Sequence, residues 1–360
     1  MNQELEIKLS RVYNLLDKHQ VEGLLLRRVS SFAWATCGAP SYINTAATEG
    51  GASLLITREK RYLLTNNIEA PRLEQEFSLA EQGWDFRVSP WTEPQKELNK
   101  LVEGMKLAAD VAFPGAIDVS GEVARLRSRL TEAEGERFRQ LGGICADAMV
   151  SALQSVRPGM SEYEIAAVLG KETQARGAQP TVNLIAADER IYKYRHPLPT
   201  DKTLEKYAML VLCGRKWGLV CSITRLIHFG PVPEDVQERI LATARVNATL
   251  IQATRPGRNL GEIFTQEQQL YAEQGYPDEW QKHHQGGITG YEPREFLALP
   301  GSQERVVEGQ AFAWNPSITG AKVEDTILVK ADGNEIITLT PSLPSTTINN
   351  IPCALAWEVD

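Results

Sequence analysis

Two helical segments joined by an Arg-Pro-Gly turn occur twice in this chain, and this repeat constrains the fold more than any other feature. Arg157-Pro158-Gly159 ends an amphipathic pattern at 131–156, and Arg255-Pro256-Gly257 ends another at 244–254. A further helical pattern follows each turn. Strand-like segments come next, at 208–221 in the first half and at 310–314 and 326–330 in the second. Such a repeat predicts two similar halves about a pseudo-two-fold axis, with a cleft where they meet.

The region before the repeat alternates between helix-like and strand-like segments. These are a helical pattern at 4–19, a strand at 23–27, a hairpin formed by 52–57 and 61–65, a strand at 107–113 and a helix at 120–130. A chain of 360 residues is too long for one ordinary hydrophobic core. We therefore predict two domains: an α/β domain over 1–128, and an α+β domain with the internal repeat over 129–360.

Composition and charge exclude several classes of protein. Hydrophobic residues make up 42% of the chain and charged residues 23%, as in ordinary globular domains. A net charge of -8 and the lack of a long basic run argue against nucleic acid as a partner. Residues 1–16 contain no uninterrupted apolar stretch, so we expect a cytoplasmic protein without a membrane partner. Five scattered cysteines without a C-x-x-C pair predict reduced thiols.

Six short motifs follow one another through the predicted second domain. They are His196-Pro197-Leu198-Pro199-Thr200, Leu210-Val211-Leu212-Cys213-Gly214, Ser222-Ile223-Thr224-Arg225, His283 to Gly290, Trp314-Asn315-Pro316, and Val323-Glu324-Asp325-Thr326. In kind and order they resemble the pita-bread family that includes creatinase, aminopeptidase P, prolidase and methionine aminopeptidase. The first domain resembles the creatinase-type N-terminal domain of that family. The resemblance therefore implies an α/β creatinase-type domain followed by an α+β pita-bread domain, over nearly the whole chain.

The resemblance also indicates where metal ligands would be expected. In the metallopeptidases of this family, two Asp, one His and two Glu hold two divalent cations. The matching positions here are Leu212, Ser222, Gly287, Asn315 and Glu324. Two hard cations that share a hydroxide need several anionic oxygens, and Glu324 is the one carboxylate in this set. We therefore expect no metal cofactor, and creatinase, a family member that acts without metal, is the relevant precedent.

His196 and Glu324 are the predicted catalytic pair, because the resemblance places both in the cleft. An imidazole titrates near neutral pH and can serve as general base or acid. Glu324 would orient a cationic or amide group of the substrate. The alternatives are a His196 ring that only bonds a backbone carbonyl, and a Glu324 carboxylate paired with Arg225 or Lys322.

Five further residues are predicted to bind substrate, namely His283, Arg294, Glu295, Arg225 and Tyr194. Arg294 falls where the family places a second histidine, and an arginine there favours a carboxylate-bearing ligand. The alternative for Arg294 is a surface pair with Glu292 or Glu295. His283 and His284 are adjacent, and neighbouring residues of a strand point to opposite faces, so at most one of them should face the cleft.

These residues favour a creatinase-like, metal-independent hydrolase of a small C–N-bonded substrate that carries a carboxylate. Two other classes stay open: an Xaa-Pro aminopeptidase or dipeptidase that needs metal, and a non-catalytic relative that only binds ligand, since fold does not fix function. The resemblance to creatinase also implies a homodimer in which the first domain closes over the partner's cleft. Phe32, Trp34 and Asn66-Asn67 are the candidates for that contact.

Overall fold

The computed structural model of the chain describes residues 3–360, and Met1 and Asn2 lie outside the described residues. The chain divides into two compact units. The first unit runs to Ala133 and includes Trp217–Leu219, and the second comprises Glu134–Lys216 and Val220–Asp360. The division lies a few residues after the predicted boundary at 128. Within residues 3–360, none of the helices has the length and apolar character needed to cross a bilayer.

The first unit is a mixed six-stranded sheet with helices packed on it. Its strands are β1 Gly23–Arg28, β2 Glu49–Thr57, β3 Arg61–Asn66, β4 Asp85–Ser89, β5 Leu107–Ala109 and β6 Ile117–Asp118. Its helices are α1 Gln3–His19, α2 Val29–Ala35, α3 Ala70–Gln75, α4 Lys96–Val102 and α5 Ser120–Ser128. The strand order is β4-β3-β2-β1-β5-β6, with antiparallel pairs in the middle and parallel pairs towards both edges. The predicted α/β character is therefore present, although β5 is shorter than the strand predicted at 107–113.

Two of the residues expected to contact a partner subunit are buried inside the first unit. The side chains of Phe32 and Trp34 on α2 are both 0% exposed. The prediction for these two residues is wrong, because an aromatic side chain that fills its own domain core cannot also cover a neighbour's cleft. Asn66 accepts hydrogen bonds from two backbone N–H groups of the turn that follows β3. Asn67 is exposed.

The first half of the second unit contains two long helices followed by a sheet, as the sequence predicts. Its helices are α6 Glu132–Ser155, α7 Glu162–Ala175 and α8 Glu189–Lys193, and its strands are β7 Gln179–Ala187, β8 Tyr207–Lys216 and β9 Leu219–Phe229. A short strand near the C-terminus, β19 Trp357–Val359, pairs with β9 in parallel, so the sheet order is β19-β9-β8-β7. The strand β9 supplies polar side chains to the candidate site.

The second half repeats this arrangement. Its helices are α9 Glu234–Ala253 and α10 Leu260–Glu273, followed by a 3-10 turn at Glu279–Lys282. Its strands are β10 Gly286–Thr289, β11 Phe296–Leu297, β12 Ala311–Trp314, β13 Ser317–Ile318, β14 Ala321–Lys322, β15 Asp325–Val329, β16 Asn334–Ile336, β17 Ser345–Ile348 and β18 Ile351–Ala354. The main sheet has the order β11-β10-β12-β15-β16. Helix α9 begins well before the predicted 244, because an acidic first turn follows Pro233 and buried Val236 and Ile240 extend the apolar stripe.

Matching hydrogen bonds in the two halves confirm the internal repeat. In the first Arg-Pro-Gly turn the Gly159 N–H donates to the carbonyl of Leu204 over 2.8 Å. In the second, the Gly257 N–H donates to the carbonyl of Val306 over the same distance. The start of the following helix is bonded in the same way in both halves to the loop before the next strand, by Glu162 N–H to Lys202 O and by Leu260 N–H to Glu304 O, each 2.9 Å.

Each second helix of the repeat begins at a polar cap. Ser161 Oγ accepts a hydrogen bond from the Glu164 N–H, and the Glu164 carboxylate accepts one from the Ser161 N–H over 2.7 Å. The predicted capping box is therefore confirmed. Asn259 caps α10 by accepting from the N–H of Gly261 over 2.8 Å. These caps fix where the helices start, and with them the geometry of both turns.

Candidate functional site

Strand β9 and the residues just before β15 run side by side, and their polar side chains meet on one face. The Thr224 N–H donates to the carbonyl of Glu324, and Thr326 Oγ1 donates to the carbonyl of Ser222 over 2.8 Å. Because Ser222 and Thr224 are two residues apart on a strand, their hydroxyl groups point to the same side. Both hydroxyls consequently lie in the site beside Glu324.

The Glu324 carboxylate is bound by two cationic side chains and a hydroxyl. Arg294 Nη2 lies 3.0 Å from Oε1, Lys322 Nζ lies 3.4 Å from Oε2, and Thr224 Oγ1 donates to Oε2 over 2.7 Å. Glu324 is 2% exposed, and burial would raise the pKa of its carboxyl. Lys322 and Arg294 outweigh burial and hold that pKa at about 2. We call these four residues the ion cluster; it carries one more positive than negative charge.

Three histidine rings lie together beside the ion cluster. His196 follows α8, and His283 and His284 follow the 3-10 turn. The Nε2 atoms of His196 and His283 are 3.0 Å apart, and their ring centroids are 4.7 Å apart. The His284 ring stacks on His283 with centroids 4.4 Å apart, and its centroid is 5.7 Å from that of His196. One ring nitrogen from each residue lies within 4.8 Å of the other two. We call these residues the three-histidine cluster.

All three imidazoles of this cluster favour the neutral form. Partial burial lowers the pKa of His196, and fuller burial lowers that of His283, below the usual 6.5; in both cases the charge of Lys322 is the next cause. Burial, followed by the charge of Arg294, lowers the pKa of His284 to about 4. Neutral imidazole carries a lone pair that can accept a proton or bind a metal ion.

The expectation that only one of His283 and His284 would face the cleft is wrong. It assumed a strand at these residues, but β10 begins at Gly286, and both histidines lie in irregular backbone after the 3-10 turn. The alternation of side chains that holds in a strand does not apply there. Both rings therefore lie against His196.

At the positions that the resemblance assigns to metal ligands, the structure has few donors. Leu212 is 0% exposed, and Ser222 Oγ contacts Cys213 Sγ at 3.2 Å. Gly287 has a φ of +150°, and a Cβ atom there would lie 2.2 Å from the carbonyl oxygen of Phe296. A side chain at 287 has no room without movement of the backbone. Asn315 Oδ1 is buried and has no hydrogen-bond partner within residues 3–360.

The structure places three of the predicted substrate-binding residues differently from the expectation. Arg225 is 3% exposed, and its guanidinium bonds Asp325 Oδ1 and several protein oxygens, so it has a structural role and is not available to a substrate. A Glu295 carboxylate oxygen accepts a hydrogen bond from the Tyr291 N–H over 3.1 Å. Tyr194 is exposed, and the guanidinium of Arg190 lies over its ring at 4.9 Å. Tyr194 makes no hydrogen bond or ring contact with the three-histidine cluster among residues 3–360.

Two cysteines lie in the strands beside the site, and both are poor nucleophiles. Burial raises the pKa of Cys213 to about 11. Burial also raises the pKa of Cys221, with a further contribution from Cys145. A thiol with a raised pKa forms little thiolate at neutral pH, and the thiolate is the reactive form. The chemistry of the site therefore rests on imidazole, guanidinium, ammonium and carboxylate groups.

Sequence reasoning missed the partners of Arg294. The alternative considered was a surface pair with Glu292 or Glu295, but the side chain reaches Glu324 instead. It did name Lys322, as the alternative in which the Glu324 carboxylate forms an ion pair, and that contact is present at 3.4 Å. A usable signal was present, because 322 and 324 are two residues apart in an extended segment and so face the same side.

Comparison with known proteins places these observations in a family. The profile of metallopeptidase family M24 matches residues 136–331, more than half of the chain. The Xaa-Pro dipeptidase of Pyrococcus horikoshii is 23% identical over 357 residues, covering 92% of this chain and 97% of its own. The Xaa-Pro dipeptidase of Pyrococcus furiosus is 26% identical over 249 residues, covering 67% and 71%.

Solved structures show the same fold. An Xaa-Pro dipeptidase from Bacillus anthracis matches with a TM-score of 0.79 and 22% identity, covering 94% of this chain and 98% of its own. An X-Pro aminopeptidase from Thermotoga maritima matches with a TM-score of 0.77 and 20% identity, covering 98% and 99%. The predicted two-domain fold, with a pita-bread second domain, is therefore confirmed.

Proposed function

The chain belongs to metallopeptidase family M24, and we infer that it hydrolyses a C–N bond in a small carboxylate-bearing substrate without the dinuclear metal centre of that family. The observation that carries this inference is the ion cluster. Both oxygens of Glu324 already have protein partners, two of which are cations. An arginine and a lysine thus stand beside the one carboxylate that could have bound metal.

The donor set supports the absence of a metal pair. Leu212 and Gly287 offer no donor, and Ser222 and Asn315 are neutral. Two divalent cations placed beside Arg294 and Lys322 would also meet like charge at short range. These residues do not fit a dinuclear centre, so no step of the proposed reaction passes through one.

The three-histidine cluster supplies a base. In the neutral form, His196 takes a proton from water as the water oxygen attacks the substrate carbon. The negative charge that develops on the substrate oxygen is stabilised by the excess positive charge of Arg294 and Lys322. His196 then returns the proton to the departing nitrogen as the C–N bond breaks, so the imidazole is regenerated. His283, with its Nε2 3.0 Å from that of His196, orients the ring.

The relatives and the charge of the site indicate which substrates to test first. Named relatives are Xaa-Pro dipeptidases, and a dipeptide carries both a C–N bond and a terminal carboxylate. The excess positive charge of the ion cluster favours a ligand with a carboxylate. Small guanidino acids, which share both features, are the second group. We propose Xaa-Pro dipeptides as the leading substrate class.

Two other functions remain as alternatives, and the experiment described below distinguishes each of them from this proposal. A conventional Xaa-Pro metallopeptidase is favoured by the names of the relatives, and it requires added divalent metal. A ligand-binding relative without catalysis would bind the same dipeptides and leave them intact.

The experiment measures product release from Xaa-Pro dipeptides and guanidino acids by protein that has been treated with a chelator and desalted. We expect hydrolysis in the presence of chelator, reduced about 100-fold or more in His196→Gln, since general acid–base catalysis contributes about 10² to 10⁴. The matched control is His19→Gln in the first unit, which should keep full activity. Activity that appears only after metal is added, or binding without product, would contradict the proposal.

We also propose that the protein acts as a cytoplasmic homodimer. The resemblance to creatinase supports the dimer, but Phe32 and Trp34 no longer do, because both are buried. Asn67, which is exposed, is the remaining candidate. Sedimentation equilibrium of the full chain tests the dimer, and a monomer at all concentrations would contradict it.

A further inference from the structure

We propose that the three-histidine cluster, His196, His283 and His284, binds a single Zn²⁺ ion at a place distinct from the dinuclear site of the family. The geometry comes close to what a zinc ion needs. A tetrahedral zinc with bonds of about 2.0 to 2.1 Å places two ligand nitrogens about 3.3 Å apart. The Nε2 atoms of His196 and His283 are 3.0 Å apart, and all three ligand nitrogens lie within 4.8 Å of one another.

A second observation concerns atoms that lack a partner. The Nδ1 atoms of His283 and His284 are buried and have no hydrogen-bond partner within residues 3–360. Buried ring nitrogens are normally satisfied, and an unsatisfied one is costly. A metal bond to the Nδ1 of His284 would satisfy that atom, whereas His283 would bind through the Nε2 that faces His196. The stacked arrangement of the two rings, 4.4 Å apart and inclined by 25°, keeps both next to His196.

The chemistry of the donors favours zinc over the ions that oxygen-rich sites hold. Three imidazole ligands with an open fourth position form a known type of zinc site, whereas Mg²⁺, Ca²⁺ and Mn²⁺ prefer carboxylate and carbonyl oxygens. His196 is exposed while His283 is buried, so the cluster is open to solvent on the His196 side. Water or a ligand carboxylate can therefore fill the fourth position.

The positive charges beside the three-histidine cluster favour an anionic fourth ligand on the zinc ion. Arg294 and Lys322 contribute one more positive charge than Glu324 neutralises, and a dication next to them is partly repelled. An anionic fourth ligand offsets this repulsion. Arg195, the remaining cation whose charge lowers the pKa of His283, is paired with Glu279 at 2.6 Å. Binding of zinc should consequently be stronger in the presence of a small carboxylate such as acetate.

Zinc at this position has a consequence that rests on the function proposed above. A His196 lone pair bonded to zinc cannot accept a proton from water. Zinc should therefore inhibit hydrolysis about 100-fold or more, since that is the contribution expected of the general base. The cluster would then make the reaction sensitive to the concentration of free zinc.

The test is a titration of chelator-stripped full-length protein with Zn²⁺ in a calorimeter, with and without acetate. A parallel titration uses Co²⁺, whose visible absorption reports tetrahedral coordination. We expect one Zn²⁺ per chain in wild type, retained in His19→Gln and lost in His284→Gln. His284→Gln keeps the size of the side chain and leaves His196 in place, and its melting temperature checks that it is folded.

Binding is read directly, so the result does not depend on catalysis. One zinc per chain that requires His284 supports the site, whether or not the protein hydrolyses dipeptides. Absence of zinc binding in wild type overturns it, as does binding that is unchanged in folded His284→Gln. In those two cases hydrolysis by stripped protein can still succeed, which keeps the failure of the site separate from failure of the proposed reaction.

Discussion

Replacing Glu324 with Gln removes the one negative charge of the ion cluster and leaves Arg294 and Lys322 without a counter-ion. The side chains of Lys322 and Glu324 are 4% and 2% exposed, so water cannot take over the lost interaction. Removing one partner of a buried ion pair typically costs about 3 to 5 kcal/mol, because the remaining charge stays buried and unpaired. We therefore expect Glu324→Gln to be strongly destabilising.

The lowered pKa of Glu324 gives a second, independent value for the folding free energy that its charge contributes. A carboxyl pKa of about 2 in the folded state, instead of 4.5, corresponds to about 3 kcal/mol in favour of the ionised, folded form. Because the folded-state pKa is depressed, this stabilisation is fully present above pH 4.5 and is lost as the pH falls from 4.5 towards 2. For a unit of this size, about 3 kcal/mol corresponds to a decrease in melting temperature of about 6 to 12 °C.

Differential scanning calorimetry at pH 7 and at pH 3 measures this effect. The matched control is Glu335→Gln, whose carboxylate is 30% exposed and pairs with Arg139 and Lys330. A pair exposed to that degree is worth about 1 kcal/mol or less, so the control should melt within about 4 °C of wild type. The reasoning is refuted if Glu324→Gln lowers the melting temperature no more than the control does. It is also refuted if the decrease is equally large at pH 3 and at pH 7.

Three further predictions follow from the same contacts. Lys322→Met removes a charge that lowers the pKa of His196, so the acid limb of kcat/KM should move to higher pH, whereas Lys330→Met on the surface should leave it in place. Gly287→His should not create a metal site and should destabilise the protein by more than about 2 kcal/mol in a denaturation assay, because a Cβ at 287 would clash with backbone atoms. The control Gly143→Ala, in open space on α6, should be neutral or stabilising in the same assay. Ser161→Ala should lower the free energy of unfolding by about 1 kcal/mol, because α7 loses its N-cap. Urea unfolding measures this change, with Ser155→Ala as the control.

Much of the fold could be predicted from the sequence, because local signals and the repeat agree. The two Arg-Pro-Gly turns predicted two halves, and the same hydrogen bonds from each turn to the loop before the next strand appear in both. The capping box at Ser161 was visible in four residues of sequence. The resemblance also brought His196 and His283 to one place, where their Nε2 atoms are 3.0 Å apart.

The interior of the site could not be predicted in the same way. Arg294 and Glu324 are distant in sequence, and their pairing depends on how two strands and a loop are placed, which no local pattern encodes. Likewise, the orientation of His284 depends on irregular backbone between the 3-10 turn and β10, where side chains have no fixed period. The burial of Trp34 was missed because an aromatic residue suits either a core or an interface.

The claim that the site functions without two metals is tested most directly by titrating the stripped protein with Mn²⁺ and following free Mn²⁺ by electron paramagnetic resonance. Manganese prefers the oxygen-rich ligand sets of dinuclear hydrolases and binds imidazole less tightly than zinc does. We predict that the signal of free Mn²⁺ stays proportional to the amount added. Uptake of two Mn²⁺ per chain, with the spectrum of a coupled pair that disappears in Glu324→Gln, would contradict the account.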